Sequence, residues 1–282
     1  MGVAGREMSE IVLGQDIVQT VAALQDAGEP FVVATVVRTV SVTAAKAGAK
    51  AVIRADGVIL DGWIGGGCAR GAVLRAAAAA LADGQPRLIS ISPEDVLSAQ
   101  GVAPGQVRDG VQFARNMCPS KGTMDVFIEP MIPRPEVVVC GTSPVALALL
   151  HVAPQFGFAV AGSAAAGDLA AFAAGMRLYP DHVITPSNAD RYIVVATQGR
   201  GDEAALRAAL TTPATYRAFV GSRAKTAALA DVLADVAPGA LAALHAPAGL
   251  DLGAITPQEI ALSILAQMVV HRRRGQRAAG TA

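Results

Sequence analysis

Two hydrophobic rhythms divide the chain. In the first half, Ile17, Val21 and Leu24 recur at helical spacing within residues 16–27, and Gly28 follows as a C-cap. Residues 31–37 form a β-branched run suited to a buried strand. Residues 49–53 and 58–60 flank Arg54-Ala55-Asp56-Gly57, and the Asp-Gly pair predicts a hairpin. A helix over 69–82 and strands over 88–91 and 123–128 follow. Between those strands, residues 95–121 read as an irregular loop rich in Gly, Pro and Gln, and loops of that length are often functional.

In the second half, strand and helix alternate. Strands are expected over 137–139, 158–161, 182–184, 192–196 and 218–220, and helices over 144–155, 202–210, 225–236 and 256–273. This βαβ rhythm predicts an α/β protein whose second part is a Rossmann-like, doubly wound parallel sheet, with ligands beyond the carboxyl ends of its strands. The proline-rich run Glu129-Pro130-Met131-Ile132-Pro133-Arg134-Pro135-Glu136 favours extended chain over helix. It sets expected boundaries: an N-terminal α/β domain over 1–129, a linker over 130–136, and a C-terminal domain over 137–282. The basic tail after Arg272 reads as a frayed end.

Composition narrows the function classes. Of 282 residues, 52% are hydrophobic and 16% charged, and the net charge is zero. That excludes a disordered chain and removes the simplest argument for nucleic-acid binding. No apolar run is long enough to predict a membrane span. Glu7 and Glu10, with no apolar stretch after them, argue against a signal peptide, so a cytoplasmic location is expected. The three cysteines form no CxxC pair and have no metal-spaced histidine, so neither a disulfide framework nor a metal site is predicted.

The most informative stretch is Gly65-Gly66-Gly67-Cys68, between an apolar strand and a helix. Glycines let backbone N–H groups approach an anion, and a cysteine at the foot of a helix sits where the dipole favours thiolate. The alternative is a tight turn with an inert, packed Cys. Cys118, in Cys118-Pro119-Ser120-Lys121-Gly122, is a second cysteine in a small-residue loop, and the two loops could converge. Lys46, Lys50 and Arg70 are candidate anion partners, or else solvated surface charges.

In the second half, Cys140-Gly141-Thr142-Ser143-Pro144-Val145-Ala146 sits where a dinucleotide fold places its glycine fingerprint. The match is degraded: Gly141 supplies the first glycine, but Ser143 stands at the second. The next strand carries no carboxylate before Asp168. Cys140 is expected to pack at a strand end. Gln198 and its neighbouring glycines open a loop toward the same cleft, with Asp202 as the expected N-cap of the following helix. Gly221-Ser222-Arg223 opens another helix and suits a phosphate, or is an ordinary cap. The four histidines, His151, His182, His245 and His271, form no hydrolase pattern.

These motifs together resemble the XdhC/CoxI/CoxF family of molybdenum-hydroxylase maturation factors. The resemblance is carried by Lys46-Ala47-Gly48-Ala49-Lys50, by Gly65-Gly66-Gly67-Cys68-Ala69-Arg70, by Cys118 and 122–130, by Gly221-Ser222-Arg223 and by 256–266. Ala69-Arg70 is more similar to the CoxF branch, linked to carbon monoxide dehydrogenase-type enzymes. The resemblance implies an accessory protein that binds the molybdenum cofactor transiently and assists its sulfuration or insertion. Cys68 and Cys118 would be its reactive residues. Implied partners are a hydroxylase apoenzyme and a cysteine desulfurase, and a homodimer is expected. Two other readings remain: an FAD- or NAD(P)-binding oxidoreductase serving maturation, and a non-catalytic adaptor that docks a partner enzyme.

Overall fold

A computed structural model describes residues 17–119, 121–236 and 239–280, with backbone alone for Cys68, Asp231 and 275–280. The chain divides into two compact units, one ending at Ile132 and the other beginning at Pro133.

The first unit opens with α1 (Ile17–Ala27), whose Ile17, Val21 and Leu24 pack on Phe31, Val33 and Val52. Gly28 ends it at φ +65°, a conformation that suits glycine. β1 (Phe31–Val40), β2 (Lys50–Arg54) and β3 (Ile59–Gly62) follow as an antiparallel meander, with Gly57 at φ +82° in the β2–β3 turn. α2 (Gly67–Asp83) then crosses the sheet, and β4 (Arg87–Ser92) leads into α3 (Glu94–Ala99). β5 (Val107–Arg108), β6 (Val111–Arg115) and β7 (Thr123–Met131) complete the unit. The seven strands lie in the order β3-β2-β1-β7-β4-β6-β5.

Side-chain alternation explains the two faces of this sheet. Val32, Ala34, Ile89, Ile91, Val126 and Ile128 face α2, which buries Val73, Ala76, Ala77 and Ala80 against them. Phe31 and Val33, on the opposite parity, meet α1.

Two expectations change here. Residues 95–121 are not an irregular loop: they hold α3 and the β5–β6 hairpin. The hairpin turns at Asp109 (φ +53°) and Gly110 (φ +77°), the same Asp-Gly signal that marks the β2–β3 turn. The proline run is also less of a spacer than expected. β7 continues through Pro130 to Met131, with Pro130 opposite Val32, and Glu136 already belongs to the next strand.

The second unit is a five-stranded parallel sheet. β8 (Glu136–Cys140), α4 (Pro144–Val152), β9 (Ala159–Ala164), β10 (Arg177–Pro180), β11 (Arg191–Val195), α5 (Asp202–Thr211), β12 (Tyr216–Phe219), α6 (Arg223–Val232) and α7 (Pro257–Gly280) follow in order. The strand order β10-β9-β8-β11-β12 is doubly wound, as expected. Val137, Val139 and Tyr192 face α4 and α7, whereas Val138, Cys140, Ile193 and Val195 face α5. Residues 182–184 do not form the expected strand. The third strand is Arg177–Pro180, and Asp181 (φ +50°) and His182 (φ +59°) form a turn closed by the Val183 N–H to Pro180 C=O bond at 3.0 Å. Helix α7 runs on to Gly280, past the expected fray point. No helix among the described residues is long and apolar enough to cross a membrane.

At the starts of the central strands, Glu136 and Arg191 face each other in register, and both side chains are only 4% exposed. The guanidinium donates through Nη2 to Oε2 at 2.8 Å, and Tyr179 and Arg177 lie beside the other carboxylate oxygen.

Candidate functional sites

The first site lies at the foot of α2. Gly65 (φ +100°) turns the chain after β3, and Gly66 is the N-cap of α2 without a side-chain acceptor. The N–H groups of the first turn are therefore left without a side-chain cap, an arrangement that favours negative charge. Cys68 is the second residue of that helix rather than part of the loop before it. Its side chain lies outside the described residues, as do Glu7, Glu10 and Ser120.

Opposite this turn, the described residues between β6 and β7 are fastened by Asn116. Its Nδ2 donates to Gly122 O at 2.7 Å, and its Oδ1 accepts from the Cys118 N–H at 2.9 Å. The Asn116 N–H itself donates to Ser92 O at 2.7 Å, tying the loop to the end of β4. Thus Asn116 holds exposed Cys118 in place. Sequence reasoning passed over this residue, although an Asn two positions before a loop cysteine is a recognisable turn signal.

The two segments meet. Gly65, Gly66 and Ala69 line one cavity with Asn116, Cys118 and Gly122, and Val42–Ala45 closes it. Its volume is about 60 Å³, room for a few atoms. The three expected cations lie elsewhere. Lys50 donates to Thr35 Oγ1 at 2.9 Å on the exposed sheet, and Lys46 and Arg70 are exposed and do not line the cavity. Lys121, beside Cys118, reaches Asp95 at 3.5 Å. Along the same face of α2, a cavity of about 360 Å³ is lined by Ala72, Arg75, Ala76, Phe113, Arg115 and Met117.

The second site lies where the parallel sheet reverses direction, beyond the carboxyl ends of β8 and β11. Gly141 sits there at φ +110°, and a Cβ would lie 2.6 Å from Ala196 O. The crossover therefore requires glycine. Ser143 is buried, and its Oγ accepts from the Ala146 N–H at 3.2 Å. It caps its own helix at the place where the fingerprint has a bare glycine. Ser143→Ala should lower stability by about 1 kcal/mol in urea denaturation, the usual cost of losing an N-cap.

Gly141 and Thr142 line a cavity of about 360 Å³ together with Asp168, Asp181, His182 and Arg200. The expected Ser143, Gln198, Gly221, Ser222 and Arg223 do not line it. Gln198 (φ +53°) is exposed in the loop after β11. Ser222 caps α6, accepting from the Lys225 N–H at 3.2 Å. Asp181 and His182 were missed because a turn of αL residues after a third strand leaves no spacing signature, whereas Arg200 comes from the 198–202 loop that was expected to open toward this cleft.

Asp202 is not the expected N-cap. Gly201 occupies that position, and buried Asp202 begins α5, bonded to Thr197 Oγ1 and to Lys225 Nζ. Burial raises the Asp202 pKa, but Lys225, Thr197 and the Gly199 N–H together outweigh it and hold the group below its ordinary value of 3.8. A depressed folded-state pKa gives stability that is present above the unfolded value and lost as pH falls through the folded one. The second unit should therefore lose stability below about pH 4, and Lys225→Met should flatten that acid limb in pH-dependent urea titrations. Cys140 is buried as expected. Burial pushes its thiol up to about 12, although the Ser163 hydroxyl pulls the other way, so it is an inert packing group.

Both halves of the chain match one family. Residues 24–92 match the XdhC and CoxI family, and residues 137–268 match the XdhC Rossmann domain. The chain belongs to the XdhC and CoxI family. It is 29% identical over 267 residues to the uncharacterized protein YqeB of Escherichia coli (strain K12), a match that spans 88% of this chain but only 44% of YqeB. A crystal structure from Bacillus halodurans, titled a xanthine dehydrogenase, aligns with a TM-score of 0.43 and 18% identity over 91% of this chain and 96% of its own.

Proposed function

We propose that this XdhC-family chain binds the molybdenum cofactor as cargo and presents it for sulfuration or insertion into a hydroxylase apoenzyme. One observation carries the reading: the Gly65–Gly66 turn and the Cys118 loop, remote in sequence, line a single cavity. A thiolate there is a soft ligand suited to molybdenum, to copper or to a transferred sulfur. The uncapped first turn of α2 favours the negative charge of such a group. About 60 Å³ admits only the reacting end of the cargo. The larger cavity along α2, with Arg75 and Arg115 on its lining, offers apolar walls and cationic groups for a pterin and its phosphate.

In this reading Cys118, with Cys68 at the start of α2, holds or passes sulfur supplied by a cysteine desulfurase. The client is a carbon monoxide dehydrogenase-type or xanthine dehydrogenase-type enzyme, and the chain works as a cytoplasmic homodimer. The test is to purify the full chain with molybdopterin present and measure bound pterin for the wild type, Cys68→Ser and Cys118→Ser. Near-stoichiometric binding by the wild type and its loss in either variant are expected. No binding by the wild type, or full binding by both variants, overturns the site.

A second reading concerns the second unit alone. Its switch-point cavity favours a bound nucleotide, FAD or NAD(P) among them, in addition to the cargo. A visible absorption spectrum separates the flavin case, because bound flavin is yellow.

A further inference from the structure

We propose that the switch-point cavity of the second unit selects a ribonucleotide with free ribose 2′ and 3′ hydroxyls, and rejects one phosphorylated at the 2′ position. This deepens the nucleotide reading of that cavity and rests on it, and is independent of the maturation reading of the first unit.

The cavity, about 360 Å³, is of small-ligand size, and its lining is polarised across the sheet. Asp181 and His182 follow β10, Asp168 follows β9, Gly141 and Thr142 follow β8, and Arg200 follows β11. In the order β10-β9-β8-β11, acceptors therefore stand at one end and a guanidinium at the other. Three strand spacings, roughly 14 Å, separate the strand ends that carry them, and the side chains line the cavity between. Charge alone orients a ribonucleotide there, with the diol against the carboxylates and the phosphates toward Arg200.

The acceptors are fixed by their neighbours. Asp181 Oδ1 accepts from the Ala166 N–H at 2.9 Å, which holds its carboxylate at the mouth of β9. His182 Nδ1 lies 2.9 Å from Ser163 Oγ, which also lies 3.2 Å from Tyr179 O, so the ring is held at the end of β10. Burial lowers the His182 pKa, despite Asp181 beside it, consistent with a neutral ring. Asp168 makes no side-chain hydrogen bond among the described residues, so its carboxylate is available to a ligand.

These groups are spread around the cavity rather than gathered on a point. Among the described residues no three His, Cys, Asp or Glu side chains are placed to hold a metal ion. Hydroxyl donors satisfy such a lining, whereas a 2′-phosphate would set its charge against two carboxylates. The usual glycine seat for pyrophosphate is taken by Ser143, which caps α4, and this leaves Arg200 to answer the phosphate charge.

The test is calorimetric titration of the full chain with ADP-ribose and with its 2′-phosphorylated analogue. ADP-ribose should bind saturably, and the analogue at least about tenfold more weakly. Asp168→Asn should weaken ADP-ribose by about tenfold and narrow the gap between the two ligands, while Arg200→Ala should weaken both alike. Thermal melts of both variants should match the wild type, because neither side chain makes a hydrogen bond within the described residues. Absence of ADP-ribose binding, equal or tighter binding of the analogue, or unchanged discrimination in Asp168→Asn overturns the proposal. Pterin binding measured on the same preparation reports separately on the first-unit site.

Discussion

Glu136→Ala is expected to destabilise the second unit by about 3–5 kcal/mol, the usual cost of leaving one member of a buried ion pair alone. Removing the carboxylate strands the Arg191 guanidinium between the first residues of two central strands, where its side chain is 4% exposed. Thr185 O, which accepts from Nη1 at 2.9 Å, cannot neutralise it. The double variant Glu136→Leu with Arg191→Leu should recover most of the loss, because no charge is then left buried. The protein carries its own reporters. All three tyrosines, Tyr179, Tyr192 and Tyr216, lie in the second unit, and the single tryptophan, Trp63, lies in the first. In urea, Glu136→Ala should shift the tyrosine transition and leave the Trp63 transition in place. Coincident shifts of equal size would show that the two units unfold together.

The second large effect is expected in the first unit. A Cβ on Gly122 would lie 2.2 Å from Val42 O and 2.7 Å from Thr43 Cγ2, so Gly122→Ala must push the 116–122 loop away from the Val42–Ala45 wall. Overpacking of this kind costs about 1–3 kcal/mol. It also breaks the alignment that Asn116 maintains between Gly122 O and Cys118. Pterin binding should fall by tenfold or more, because the cavity wall itself is displaced. Asn116→Ala should reproduce the binding loss with less damage to the melting temperature, since it releases the loop without a clash. If Gly122→Ala keeps wild-type pterin binding, the cavity is not where the cargo sits.

Local chemistry explains which parts of this molecule were readable in advance. The parallel sheet follows from alternating strand and helix runs, and each Asp-Gly turn follows from φ values that glycine alone accepts easily. The β5–β6 hairpin was obscured because the Gly, Pro and Gln around Asp109-Gly110 outweigh two short strands in any window. Residues 182–184 read as a strand from Val183 and Ile184, yet Asp181 and His182 take the left-handed conformation, which no apolar pattern records. The Gly65–Cys68 stretch was legible as a site because its glycines and cysteine are unusual together. Its partner Asn116 was not, since its role rests on a bond to Ser92 O at the end of β4, a contact remote in sequence. Likewise Asp168, Asp181, His182 and Arg200 come from separate strand ends, and only the doubly wound topology brings them to one cavity.

The central claim rests on what the foot of α2 holds. The most direct measurement is mass analysis of the small molecules released from the full chain after native purification and incubation with molybdopterin. The account predicts a pterin phosphate from the wild type and its absence from Cys118→Ser. A wild-type protein that releases no pterin, or a Cys118→Ser variant that releases as much as the wild type, would contradict it.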